Sequence, residues 1–401
     1  MRYLILFILV CSGTLLSITL IDYYQHQRDG FLDSVQKRLQ CRRLREKLVT
    51  MTTMKKANDA RLLESTCSPL PLVAGIDGIS RRGGNVEYCI GIGVTWCVCV
   101  CVRVDIGLFS QEVRELMNCP WRLNLTHREL HRTELWSCCN ASDRLMVTRQ
   151  NTNQNQSLTY DAEKWRKRKV DQALWDMLPQ TVPWSKGSLS RCAVVGSGGI
   201  LQNSSCGAEI DNADYVIRFN LAPINKSYDV GVKTDLITAN PSQINKRYPD
   251  LQRNPGPLME VMSAYGHTHL LLHAFSFGFG TSPCFKVYHA LRKACTQQKV
   301  VFFHPDYLLK LDKFWRHRGQ RAPRLSTGMM LASTALEICE QVHLYGFWPF
   351  PLDLSKNTLP HHYYDNVGPS HFMHAMPEEF LLLLQLHSQG ALQLHVGPCT
   401  P

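Results

Sequence analysis

The sequence predicts an α/β fold with a mostly parallel central sheet flanked by helices. Three observations predict it. Seven short apolar runs recur in the second half: Cys192–Val195, Tyr215–Arg218, Leu236–Ala239, His269–Ala274, Val300–Phe303, Val342–Tyr345 and Leu392–Val396. Helical patterns lie between several of them, notably Gly328–Glu340 and Pro377–His387. Such alternation is the signature of strands joined by helical crossovers. The first run feeds Gly196-Ser197-Gly198-Gly199, a turn of the kind that brings backbone close to a phosphate. Taken alone, that turn also fits an ordinary bend after a core strand. Leu201 stands where G-x-G-x-x-G would have its third glycine.

Taken in order, the chain opens with an uncharged, mostly apolar stretch, Tyr3–Ile21, after Met1 and Arg2. It is long enough to span a bilayer as a helix, which leaves a two-residue cytoplasmic tail (1–2). A cleaved signal peptide is the rival, but no A-x-A-like site follows. Residues 22–110 read as a stem, with a basic helical pattern over Val35–Leu63. Within it Leu70–Leu108 differs from the rest. Its Cys97-Val-Cys-Val-Cys-Val102 alternation is what a GT-dinucleotide repeat encodes, and it reads as translated intron sequence. The other reading is an apolar strand, a poor stem component. Residues 111–401 have the composition of a folded domain. Trp121, Trp136, Cys138 and Cys139 suggest that it begins with a cysteine-tethered helix. Asn151–Ser157 reads as a loop, and Ala162–Leu178 as a helix ending before Pro179. A basic run within it, Lys164–Lys169, is an electropositive patch suited to anionic acceptors.

A net charge of +11 implies anionic partners. No zinc-finger spacing or aromatic-basic motif accompanies it, which argues against nucleic acid. Sixteen cysteines without a C-x-x-C pair point to disulfides rather than a zinc ribbon or a thioredoxin motif. Five N-x-[ST] sequons, at Asn124, Asn140, Asn155, Asn203 and Asn225, agree with a secretory compartment.

Four stretches of the second half can carry chemistry. The first is Arg191–Asn220, which holds the glycine turn between Cys192 and Cys206. The second is Arg324-Leu-Ser-Thr-Gly-Met-Met330, where Ser326, Thr327 and Gly328 open a helix. A helix start favours anions, although simple N-capping explains Ser and Thr there equally well. The third is Tyr345–Phe350 followed by His361-His-Tyr-Tyr-Asp365, and the fourth is His371–Glu379. Histidines suit general base work near neutral pH. No H-E-x-x-H or comparable ligand set accompanies them, so no metal is expected.

These four stretches, in order and spacing, resemble the sialylmotifs of animal sialyltransferases. CAVVGSGGIL, CGAEID and VIRFNLAP are similar to the large motif, and RLSTGMML with CEQVHLYGFWPF to the small one. HHYYD resembles the third motif, and His374 with Glu379 fits the very short H-x4-E motif. CCNAS and the terminal Cys399 resemble the alpha-2,8-sialyltransferases, in the oligosialyltransferase branch that contains GD3 synthase and the fifth and sixth members. The sixth is the nearer match, while HAMPEEF and DVGVKTD also resemble the ganglioside enzymes.

The resemblance implies a Rossmann-like domain that binds CMP-sialic acid without a metal or other cofactor. It transfers sialic acid, with inversion, to the 8-hydroxyl of a terminal sialic acid on sialylated glycoproteins or gangliosides. The lack of any D-x-D sequence agrees with metal independence. By the motif match, Ser197, Gly198 and Asn220 face the donor, and Ser326, Thr327 and Gly328 hold its cytidine and phosphate side. Trp348 lines the cytidine pocket, His362 meets the departing phosphate, His374 is the base and Glu379 supports that site. The implied disulfides are Cys192–Cys339 and Cys206–Cys399. The implied location is the Golgi membrane, single-pass type II, with a luminal catalytic domain, no nucleic-acid partner and homo-oligomer formation left open. Two departures stand out: Ser197 replaces the family's Asn, and Phe219 replaces the Cys of Arg-Cys-Asn. They leave open a weakly active or inactive homologue that binds glycans or regulates a partner. An NAD(P)-dependent dehydrogenase, suggested only by the glycine turn, lacks a downstream ribose-binding acid.

Overall fold

The computed structural model describes residues 36–46, 81–82, 85–88, 102–104, 106–184, 189–294, 296–368 and 373–399. They fall in two compact units, 1–120 and 121–401. In the first, residues 36–46 and Ile106–Met117 are helical. Arg81–Arg82, Asn85–Tyr88 and Val102–Val104 form a small antiparallel sheet. A disulfide joins Cys41 to Cys119. The apolar stretch 3–21 and most of the Cys/Val alternation lie outside the described residues. Among the described residues, no helix is long and apolar enough to cross a membrane.

The second unit is built on seven parallel strands: β1 Leu189–Val195, β2 Tyr215–Arg218, β3 Leu236–Ala239, β4 His269–Leu272, β5 Lys299–Phe302, β6 Cys339–Tyr345 and β7 Gln393–His395. Each falls on one of the seven apolar runs. Their order across the sheet is β5-β4-β3-β2-β1-β6-β7. Every residue of β2 and β3 is buried. That is why these runs read as continuous rather than alternating: helices cover both faces of a parallel sheet. Arg218, at the end of β2, is the exception in chemistry. Its guanidinium is buried and donates to the Lys233 carbonyl and to Thr234.

Five helices frame the sheet near the motifs: α1 Leu125–Cys138, α2 Gly278–Lys293, α3 Pro305–Arg316, α4 Thr327–Ile338 and α5 Met376–Ser388. α4 packs against α1, β6 and β1, and every residue from Met329 to Ile338 is buried. Its mid-helix Ser333 and Thr334 survive burial by donating to the carbonyls one turn back, at Met329 and Met330. They also meet Trp315 and Tyr307 of α3. Disulfides join Cys192 of β1 to Cys339 of β6, and Cys206 to Cys399. A further one joins the neighbours Cys138 and Cys139 at the end of α1.

One expectation fails. Ala162–Leu178 is not a helix. Ser157–Thr159 and Lys167–Lys169 pair as an antiparallel hairpin, and only Gln172–Met177 is helical. The run Lys164–Lys169 lacks an apolar stripe, so tertiary contacts decide its form. Asp161 N–H donates to the Phe275 carbonyl and Ala162 N–H to that of Ser276. Glu163 accepts from the Gly278 N–H at the start of α2.

Candidate active site

The strand order reverses between β1 and β6. Open parallel sheets bind ligands outside the carboxyl ends of their strands at such a switch point. All four motif stretches converge on it. Gly196 N–H donates to the Tyr345 carbonyl at 2.7 Å, and Gly198 N–H to the Gly346 carbonyl at 3.0 Å. A Cβ on Gly196 or Gly198 would sit 2.6 or 2.5 Å from the Gly346 oxygen, and one on Gly199 would overlap that of Pro360. The glycines are therefore required by protein backbone packing against the turn after β6. From the sequence, a phosphate is the expected reason for that close approach; the structure shows a nearer cause.

The third motif closes over the same turn. Gly198 and His362 form an antiparallel bridge, and Tyr363 N–H donates to the Ser197 carbonyl. His362 Nδ1 lies 2.6 Å from Asp365 Oδ1, and its ring stacks on Tyr364 at 5.1 Å. Partial burial works against ionisation of Asp365, but hydrogen bonds from His362 and the Val367 N–H hold its pKa below the ordinary value. Tyr364 is in turn hydrogen-bonded to the Ser197 side chain. Asn220 adopts a left-handed conformation at φ 52°, which Asn tolerates better than most residues. Its Oδ1 accepts from the Asn240 N–H, joining the ends of β2 and β3.

Ser326 caps α4 by accepting from the Met329 N–H at 3.0 Å. Its own N–H donates to Glu379 Oε1 at 2.7 Å, and its hydroxyl meets the other carboxylate oxygen. Glu379 is buried, and burial pushes its pKa up to about 7 against the pull of these bonds. The very short motif thus acts on the small one. Thr327 and Gly328 are half-buried beside them, with Phe347 packed close to Gly328. Trp348 is buried, donates to the Leu352 carbonyl and packs edge-on against Phe350 and Phe380. Its indole N–H is thus already used.

His374 lies just before α5. Its Nδ1 is 3.0 Å from the Arg324 carbonyl, an acceptor only, so that nitrogen carries the proton and Nε2 keeps its lone pair. Burial holds the ring below the usual imidazole pKa; the carbonyl bond opposes this and the Arg324 charge adds to it. Arg324 is itself clamped. Its guanidinium donates to Asp161 Oδ2 at 2.6 Å and to Ser276 at 2.8 Å, and approaches the buried His273 at 3.5 Å. The first histidine of the fourth stretch, His371, lies outside the described residues.

Residues 146–391 match the model of glycosyltransferase family 29 (sialyltransferase). Mouse alpha-2,8-sialyltransferase 8F is 43% identical over 73% of this chain and 74% of its own length. The chain belongs to glycosyltransferase family 29, the sialyltransferases. Human alpha-2,8-sialyltransferase 8E is 41% identical over 72% of this chain and 77% of its own. A bovine alpha-N-acetylneuraminide alpha-2,8-sialyltransferase is 42% identical over 70% and 79%. A crystal structure of a mammalian sialyltransferase matches 70% of this chain and 99% of its own at 24% identity, with a TM-score of 0.49.

In this sialyltransferase Ser197 and Gly198 follow β1, Asn220 follows β2 and Trp348 follows β6, His362 bridges to Gly198, and α5 brings Glu379 to Ser326. Sequence reasoning misses Asp161, Ser276, His273 and Asp365, and it misses Arg247. That arginine bears on both Tyr364 and Asp365. Only Asp365 has a signal, its place in HHYYD. A groove of about 450 Å³ lies at the opposite end of the sheet, where His269 and Lys299 begin β4 and β5; it holds none of the motif residues. Among the described residues, Glu209, His395 and Cys399 bring ligand atoms within 4.8 Å of one another, but the Cys399 sulfur is bound to Cys206. Of the sequons, Asn124, Asn155, Asn203 and Asn225 are exposed. Asn140 is half-buried, and its amide nitrogen donates to Asp143.

Proposed function

We propose that this chain transfers sialic acid from CMP-sialic acid to the 8-hydroxyl of a terminal sialic acid on a sialylated glycan, glycoprotein or ganglioside. The names of its relatives support the linkage. The observation that carries the mechanism is His374 with Nδ1 committed to the Arg324 carbonyl. An imidazole so held is neutral near pH 7 and offers Nε2 as a base. The acceptor oxygen attacks the anomeric carbon as its proton passes to Nε2. The bond from that carbon to the CMP phosphate oxygen breaks, and inversion follows from attack on the opposite face.

His362 donates to the departing phosphate and offsets its growing charge, with Asp365 orienting the ring through Nδ1. Ser326, Thr327 and Gly328 at the start of α4, with Ser197, Gly198 and Asn220, hold the donor, and no metal is assigned a role. Glu379 keeps Ser326 in place. The disulfides and exposed sequons support a luminal Golgi setting, with Asn124, Asn155, Asn203 and Asn225 as glycan carriers and a membrane anchor at 3–21. The test is turnover of CMP-sialic acid with sialylated acceptors by wild type and His374→Ala. The expected kcat loss is about 10²–10⁴-fold with CMP still protecting against unfolding. Full activity in the variant would refute the base.

A further inference from the structure

We infer that the exposed aromatic and basic face made by residues 164–167 and 277–279 is the acceptor platform, and that it takes an anionic sugar chain. This rests on the proposed reaction and says where the acceptor lies. Contiguous apolar surface left exposed on a folded protein marks interaction sites or ligand grooves. Trp165 is 79% exposed and Phe279 61%. Phe277 and Phe279 stack on each other at 5.4 Å. The phenylalanine pair is tied to the base through Arg324. Arg324 holds His374 through its carbonyl, and its guanidinium lies 5.5 Å from the Phe277 ring. Arg324 therefore touches both the proposed base and the inner ring of this face.

The two segments form one surface. The Asp161 and Ala162 amides bond to Phe275 and Ser276, Glu163 accepts from Gly278, and Arg166 packs directly over Gly278. A Cβ on Gly278 would lie 2.5 Å from that guanidinium, so the arginine rests directly on the bare backbone. Lys164 and Lys167 are exposed on either side of Trp165. Flat apolar rings bind the C–H faces of sugars, and the flanking cations suit sialate carboxylates. Charge and continuity with the base thus select an anionic glycan over a neutral one.

The test is the acceptor KM of the Trp165→Ala/Phe279→Ala double variant, measured with a sialylated oligosaccharide at saturating CMP-sialic acid. Both residues are exposed, so the fold should survive; protection by CMP against thermal unfolding checks this. A rise in acceptor KM of roughly tenfold, with CMP protection intact, is expected. Lys164→Gln/Lys167→Gln should raise KM less and weaken its dependence on salt. An acceptor KM equal to wild type in the double variant overturns the platform. So does loss of binding to anionic vesicles with KM unchanged, which would make the face a membrane contact. Failure of the proposed reaction itself looks different, because wild type would then show no transfer at all.

Discussion

The donor side and the base side of the proposed site are built in different ways. On the donor side, the glycine turn after β1, Asn220 after β2, the turn after β6 and the start of α4 all sit at the ends of regular elements. Each is a contiguous stretch, and backbone hydrogen bonds such as Gly198 to Gly346 lock them together. On the base side, His374, Arg324, Ser276 and Asp161 come from four separate segments, joined by the His374 ring on the Arg324 carbonyl and by the Arg324 guanidinium on Ser276 and Asp161. The donor side is thus a backbone construction with little freedom. The base side is an electrostatic one, which single substitutions can retune.

Glu379 is the sharpest probe of the donor side. Its folded pKa of about 7 is raised above the unfolded carboxyl value. The protonated form is therefore favoured by folding, and that contribution is present below the unfolded pKa near 4.5 and lost as pH rises through about 7. Relative to Glu379→Gln, wild type should lose roughly 3 kcal/mol of stability as the pH rises from the unfolded to beyond the folded pKa. Denaturant unfolding of both proteins across that range measures it, and parallel pH curves would sink the idea.

Asp161→Asn probes the base side. Removing this carboxylate leaves the Arg324 charge uncompensated beside His374, whose pKa then falls further. The groups facing that ring are Arg324 and the buried neutral His273. The acid limb of the kcat profile should move to lower pH, and the plateau should drop about tenfold as a weaker, less firmly held base takes over. Donor KM should stay close to wild type. A profile superimposable on wild type would show that Asp161 has no hold on His374. The smallest effect is expected at Ser197→Asn, which restores the family residue. A donor KM lowered a few-fold, worth about 1 kcal/mol, would show that the shorter serine costs a hydrogen bond; no change would show that Tyr364 has taken its place.

Legibility in the sequence follows the same division. All seven strands can be read from it, because parallel strands buried on both faces must be apolar throughout. The helices at 327–338 and 376–388 can be read from their apolar patterns. The hairpin at 157–169 cannot, because a basic, exposed segment carries little periodic signal and its form depends on Phe275, Ser276 and Gly278. The glycine turn stands where the sequence puts it, but it answers to a different neighbour. Nothing near Asp161 marks it, since its partner Arg324 is 163 residues away.

Local burial patterns and contiguous motifs are displayed along the chain in order. The sheet, its parallel character, the family and the four motif stretches rest on these, so they follow from the residues before any contact is known. That Gly196 and Gly198 answer to Gly346, that Glu379 serves Ser326, and that Asp161 and Arg324 stand behind His374 does not follow from them. Those relations are contacts between segments far apart in the chain, and their energies depend on distances and burial that exist only once it has folded.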